Sequence, residues 1–218
     1  MSDAERTMTA PSLPAPIADP APLGLAAFAL TTFLLSVRNA GWLRDTSDAW
    51  LGYAFFYGGT VQLLAGMWEF RNRNVFGSTA FSTYGGFWLG LGFYVQFVAA
   101  KAGSTDHIQT DLGWILLAFA IFNTYMLLWS TQLNWAVFAV FLTLEVTEIL
   151  LFIGNFSHSS NVVKAGGIVG VITAAAAWYA SAAGVINGML GRAFLFVGKP
   201  LIALPESRTA VGEPTSIR

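Results

Sequence analysis

The sequence has no cysteine, only two histidines and few charges. Without cysteine there is no disulfide framework, thiolate nucleophile, CxxC redox pair or Cys-ligated metal. His107 and His158 leave little for a histidine-rich metal site, so no metal or cofactor is expected. Charged residues make up 11% of the 218, against about 25% in a soluble globular protein. A water-facing surface cannot be built in the usual way from so few. The formal net charge of -1 gives no field to draw in polyanions, so no nucleic-acid partner is expected. No Walker loop or dinucleotide GxGxxG fingerprint occurs, which argues against ATP-driven transport. No lysine lies deep in an apolar stretch, which argues against a retinal Schiff base. With no catalytic set in view, the chain is not read as an enzyme.

What is present is apolar: 55% of residues are hydrophobic and 15% aromatic. A helix crosses the hydrocarbon core with roughly 20 apolar residues. Six such stretches can be read, at about Ala21–Asn39, Ala49–Phe70, Ser78–Ala100, Asp111–Ser130, Asn134–Phe156 and Lys164–Leu190. The loops between them are short, which makes neighbours antiparallel and gives one compact domain in a lipid bilayer. The fold class expected is an all-α integral membrane protein, a bundle of six transmembrane helices. The stretches are too long, and alternate too little, for a membrane barrel.

Residues 1–20 hold four prolines and no apolar h-region, so they read as a disordered tail rather than a signal peptide. The transport domain is then 21–190, and 191–218 form a second tail. With six spans both tails share a side with Arg6, Arg71, Arg73, Arg192, Lys199, Arg208 and Arg218. The other side holds Arg38, Arg44, Lys101 and Lys164. The excess of positive charge places both tails in the cytoplasm of a multi-pass protein of the cell membrane.

Polar groups at depth come next, because lipid makes them costly. Glu145 and Glu148 fall near the middle of the fifth stretch. A charge there costs about 2.5–3.5 kcal/mol on insertion scales. Their i, i+3 spacing puts them on one face, where two carboxyls can share a proton. They are either a proton-handling pair or a buried pair satisfied by hydroxyls and a neighbouring helix. Asn123 and Thr124 lie mid-helix in the fourth stretch, and Thr60 and Gln62 in the second. Glu69, followed by Arg71 and Arg73, reads as a cap or interfacial pair. Trp42, Trp50, Trp68, Trp114 and Trp135 lie near predicted ends, where interfacial tryptophans gather.

Small residues recur at three- and four-residue spacing: Gly58-Gly59 and Gly66, Gly85-Gly86, and Gly166-Gly167 through Gly170, Thr173, Ala174, Ala177 and Ser181. In lipid such stripes let helix backbones approach closely. The segment Asp19-Pro20-Ala21-Pro22-Leu23-Gly24-Leu25 opens the first helix. Its aspartate can cap the following amides, with proline tolerated in the first turn. Alternatively the segment leaves amides free to bind a carboxylate.

That segment resembles the Asn-Pro-Ala-Pro-Leu-Gly-Leu signature of the acetate uptake transporters, the succinate–acetate permease type. The likeness continues through Asn39-Ala-Gly41, through YGGTVQLLAGMWEFRNRNVFGSTAFSTYGGFW (Tyr57 to Trp88), and through AGGIVGVITAAAAWYASAAG (Ala165 to Gly184). The resemblance implies six helices, cytoplasmic tails and a homohexamer with a pore in each protomer. It implies passage of acetate and other small monocarboxylates, with succinate in some members. It also implies an apolar constriction with Phe28 and Tyr84 as members. A third member would come from helix four, near Tyr125, Met126 and Leu127, with Thr60 and Gln62 in a polar stretch of helix two.

Two departures stand out. The signature asparagine is Asp19 here, and an ionised aspartate cannot donate a hydrogen bond to a carboxylate. Glu145 and Glu148 interrupt a helix that is mostly apolar in that family. Three readings follow: a passive or proton-coupled channel or carrier for small monocarboxylates, a channel for neutral solutes such as urea, short amides or ammonia, and a non-transporting membrane sensor or assembly protein.

Overall fold

The computed structural model describes residues 17–43 and 48–202. The expected disordered tail lies largely outside these residues, as do 203–218. Among the described residues the chain is helical and has no strand. Helix α1 covers Ala21–Asn39. Helix α2 (Trp50–Phe55) passes into a π-helical segment, Phe56–Val61, and on into α3 (Gln62–Arg71). Helix α4 (Val75–Phe93) continues through a second π segment, Tyr94–Val98, and a short 3-10 turn, Ala99–Lys101. Three long helices follow: α5 (Thr105–Ser130), α6 (Trp135–Phe156) and α7 (Ser160–Leu190). Among the described residues these elements run as six uninterrupted helical stretches, called passages below. Four helices, α1, α5, α6 and α7, are each long and apolar enough to cross a membrane.

Local chemistry sets the helix boundaries. Pro22 sits in the first turn of α1, where the missing N–H costs nothing. Asn74 and Asn134 cap α4 and α6, their side chains accepting from the amides of Gly77 and Val137 at 3.0 Å. Gly191 ends α7 at φ +61°, a left-handed cap that favours glycine. Gly58 and Gly59 fall within the first π segment, where the wider turn sets the Phe55 carbonyl against the Thr60 hydroxyl at 2.8 Å. Such bulges are frequent at functional sites.

The passages close into a ring. Helix α3 lies against α4 and α1, α1 against α7, α7 against α6, and α6 against α5. Rings of α4 and α5 complete the circle, Tyr84 and Phe87 meeting Phe119 at centroid distances of 5.9 and 4.6 Å. The small-residue stripes lie at these contacts. A Cβ at Gly85 would stand 2.8 Å from the Leu63 backbone, and one at Gly167 would strike the backbone of α1 at Asn39 and Ala40. Gly166, Gly167, Gly170, Thr173, Ala174 and Ala177 are all buried.

Trp50 stands at a helix end, as the first residue of α2, and faces inward: it is 4% exposed and packs with Ala54, Trp88 and Leu91. One sequence expectation is corrected. Glu69 is no solvated pair with Arg71 or Arg73. It is fully buried, and Asn72 Nδ2 donates to its Oε2 at 3.3 Å.

The segment after α7 folds back on the bundle. Asn187 Oδ1 accepts from the amides of Phe194 and Leu195, and its Nδ2 donates to the Leu195 carbonyl. The Tyr179 hydroxyl donates to the Phe196 carbonyl at 2.6 Å. The amides of Ala136 and Leu201 then donate to the carbonyls of Val197 and Thr131. The start of α1, the loop before α4, the loop before α6 and this segment all lie at one end of the ring. We call it the tail end.

Candidate functional site

Helices α1, α4 and α6 run in the same direction, from the tail end toward the far end. Each brings a bulky buried side chain to the ring's centre. Phe28 and Tyr84 meet edge to face, with centroids 5.7 Å apart. Leu144 of α6 is buried in the same cluster. Two cavities lie on either side of these three residues, and both are lined by all three. The tail-side cavity has a volume of about 90 Å³ and adds Ala21, Leu25, Gln62, Asn74, Gly77 and Phe141 to its walls. The far cavity, about 40 Å³, adds Thr32, Ser36, Asn39, Trp88, Thr147 and Glu148. Phe28, Tyr84 and Leu144 therefore separate two chambers stacked along the bundle.

A polar network braces this partition from behind. The Tyr84 hydroxyl lies 3.1 Å from Asn123 Oδ1 and 3.2 Å from Glu148 Oε1. Asn123 Nδ2 donates to the Phe141 carbonyl at 3.0 Å and to Glu145 Oε2 at 2.7 Å. The Thr124 hydroxyl donates to Glu145 Oε1 at 2.8 Å. Asn123 is fully buried and Glu148 is 4% exposed, while Glu145 is half-buried on the outer flank of α5 and α6. The two glutamates are linked through Asn123 and Tyr84, and only Glu148 faces a chamber.

The remaining candidates are scattered. Gln62 is buried in the tail-side wall, and its Oε1 has no hydrogen-bond partner. Thr60 is exposed and spends its hydroxyl on the Phe55 carbonyl. Tyr125 points outward, Met126 is buried in the core, and Leu127 packs against that core. None of Tyr125, Met126 and Leu127 lines either chamber. The third wall of the partition is Leu144 on the fifth passage; α5 reaches the far chamber through Leu116, while its Asn123 lines neither chamber. Asp19 is exposed at the tail end, its Oδ1 accepting from the Ala21 amide at 2.9 Å. Of the rest of its motif, Ala21 and Leu25 line the tail-side chamber, Pro20 is buried, and Pro22 and Gly24 pack against Gly184 and Phe81. Leu23 faces outward.

Sequence reasoning missed Leu144, Thr32 and Trp88. A signal for two of them was present. Thr32 follows Phe28 by four residues and Trp88 follows Tyr84 by four. Residues four apart share a helix face.

The chain matches the model of the GPR1/FUN34/yaaH family over residues 4–199. It is 43% identical over 180 residues to Ammonia transport outward protein 2 of Saccharomyces cerevisiae, covering 79% of this chain. The chain spans 64% of the length of that relative. It is 35% identical over 184 residues to the Succinate-acetate/proton symporter SatP of Escherichia coli, covering 84% of this chain and 96% of the relative. Its structure is similar to that of the bacterial acetate channel SatP, with a TM-score of 0.79 and 33% identity, over 84% of this chain and all of the other.

Proposed function

The chain belongs to the GPR1/FUN34/yaaH family, and we propose that it is a channel or carrier for acetate and other small monocarboxylates. The observation that carries this reading is the pair of chambers divided by Phe28, Tyr84 and Leu144 at the centre of a helix ring. A small solute can be held on one side, lose part of its water and pass one narrow apolar partition. The likeness to SatP supports a carboxylate as that solute. These relatives are transport proteins, not enzymes.

In this reading all six helical passages span the cell membrane, with both termini in the cytoplasm. Movement is passive or coupled to protons, and succinate is a further candidate substrate. Each protomer of a homohexamer holds its own pore. Glu145 supports a covering neighbour: a half-buried carboxyl on an outward flank is costly against lipid and cheaper beneath another subunit. The tail-side chamber receives the solute near Asp19 and the start of α1, with Gln62 as its polar wall group.

A neutral-solute channel remains the second reading. It is favoured by the likeness to an ammonia transport protein and by chamber walls without a lysine or arginine. Uptake into liposomes holding the purified full-length chain separates the two. Saturable uptake of labelled acetate, with none of labelled urea or methylammonium, supports the first. Urea or methylammonium flux without acetate flux overturns it.

A further inference from the structure

The partition has a second layer. One helical turn beyond Phe28, Tyr84 and Leu144 stand Thr32, Trp88 and Glu148, each four residues on and so about 6 Å nearer the far end. All three line the far chamber and are 3–5% exposed. Each carries a buried polar atom with no hydrogen-bond partner: Thr32 Oγ1, Trp88 Nε1 and Glu148 Oε2. Buried polar atoms are nearly always paired, and leaving one unpaired costs about 1–3 kcal/mol. Three orphans around one cavity indicate a place built to be filled.

Hydrogen-bond accounting narrows what fills it. Asn123 Nδ2 faces two acceptors, Phe141 O and Glu145 Oε2, so its Oδ1 must be the atom toward Tyr84. Tyr84 has a single proton, and giving it to Asn123 leaves only the phenolic oxygen as acceptor for Glu148. The 3.2 Å contact to Oε1 is then a hydrogen bond only if Glu148 carries its proton there. With the Tyr84 proton on Asn123, the shorter of its two contacts, the donors run one way, from Glu148 to Tyr84 to Asn123 to Glu145. Glu148 Oε2 is thereby left as a carbonyl-type acceptor facing the chamber. The titratable groups facing Glu148 are Tyr84 on α4 and Glu145 one turn earlier on α6, and from α1 the chamber receives only the hydroxyls of Thr32 and Ser36 and the amide of Asn39.

We propose that the far chamber binds the neutral, protonated form of a small monocarboxylic acid: Glu148 Oε2 accepts the acid's O–H, and the Thr32 hydroxyl and Trp88 indole N–H donate to its carbonyl oxygen. An anion has no proton to offer Oε2 and meets an acceptor instead. The cavity of about 40 Å³ holds roughly three waters, which a two-carbon acid replaces. The proton travels on the substrate, and Glu148 keeps its own. This site rests on the monocarboxylate reading above and specifies the form that passes.

The test uses acetamide, which has the shape of acetic acid, offers one donor edge and one carbonyl, and does not ionise. In liposomes holding the full-length chain, acetamide competes with labelled acetate, and its inhibition constant is unchanged between pH 6 and pH 8. The half-saturating total acetate climbs about tenfold per pH unit, as the neutral fraction falls above the carboxyl pKa. Glu148→Gln, whose amide N–H takes the place of the carboxyl proton toward Tyr84 and whose carbonyl oxygen takes the place of Oε2, keeps that climb. Thr32→Val weakens acetamide competition about tenfold, the loss of one hydrogen bond to a buried acceptor. Saturable acetate uptake that acetamide leaves untouched overturns the site but not the transport reading. A climb flattened to less than about threefold per unit in Glu148→Gln does the same. No uptake above protein-free liposomes overturns both.

Discussion

The hydroxyl of Tyr84 and the carboxyl of Glu148, 64 residues apart in sequence, meet at 3.2 Å behind the partition between the chambers. Tyr84 is therefore wall and strut together. Its ring narrows the path, and its hydroxyl ties α4 to α5 and α6.

Widening the partition should relax selection by size. Phe28→Ala and Leu144→Ala each remove a side chain that lines both chambers. Uptake of butyrate relative to acetate is expected to rise in both variants. An unchanged ratio in both would remove the three residues from the path.

Asn123→Ala should cost stability more than its small size suggests. It strips partners from Tyr84, from the Phe141 carbonyl and from Glu145. Each buried group left unpaired costs about 1–3 kcal/mol. Thermal unfolding in detergent should show a lowered midpoint. Asn123→Asp should not rescue it, because the carboxylate cannot donate. A wild-type midpoint in Asn123→Ala would show that the network is not bracing the fold.

Asp19→Asn should favour anions at the tail end. The substitution preserves the side-chain oxygen that accepts from Ala21 and removes a negative charge beside a helix start. An exposed charge near a helix terminus is worth about 0.3–1 kcal/mol, so half-saturation for acetate should fall roughly twofold to fivefold at low salt. The gain should shrink at high salt. An affinity that is unaltered in both conditions would make Asp19 a local turn residue only.

Gly85→Val should disrupt assembly of the bundle. The added Cβ stands 2.8 Å from the Leu63 backbone, which cannot yield as a flexible side chain would. By contrast Gly86→Ala has nothing within 4 Å of its new atom. The first variant is expected to be lost from detergent extracts and the second to behave as wild type. Equal yields would contradict the close approach of α3 and α4.

The helices were legible because apolar length is a strong signal: α1 coincides with its predicted stretch. Helices α4, α5 and α7 begin three, six and four residues before theirs, where residues such as Asp106 and Asn161 lower the apolar count without breaking the helix. The resemblance gave Phe28, three residues beyond the 19–25 motif, and Tyr84, inside the long 57–88 run. Leu144 escaped because a leucine in an apolar helix carries no mark of its own. Its role follows only from which helix faces the centre. The same applies to Glu145 and Glu148. Spacing put them on one side of a helix, yet packing places one against a chamber and the other on the outer flank.

The parallel course of α1, α4 and α6 has a consequence for how this protein can change. A residue gained between Phe28 and Thr32 would rotate Thr32 by about 100° around its helix and carry it out of the chamber. The same applies between Tyr84 and Trp88, and between Leu144 and Glu148. Evolution can trade side chains at these six positions one at a time, but it cannot shift the phase of any one helix against the other two. The narrow layer and the polar layer are in this sense inherited as a single frame.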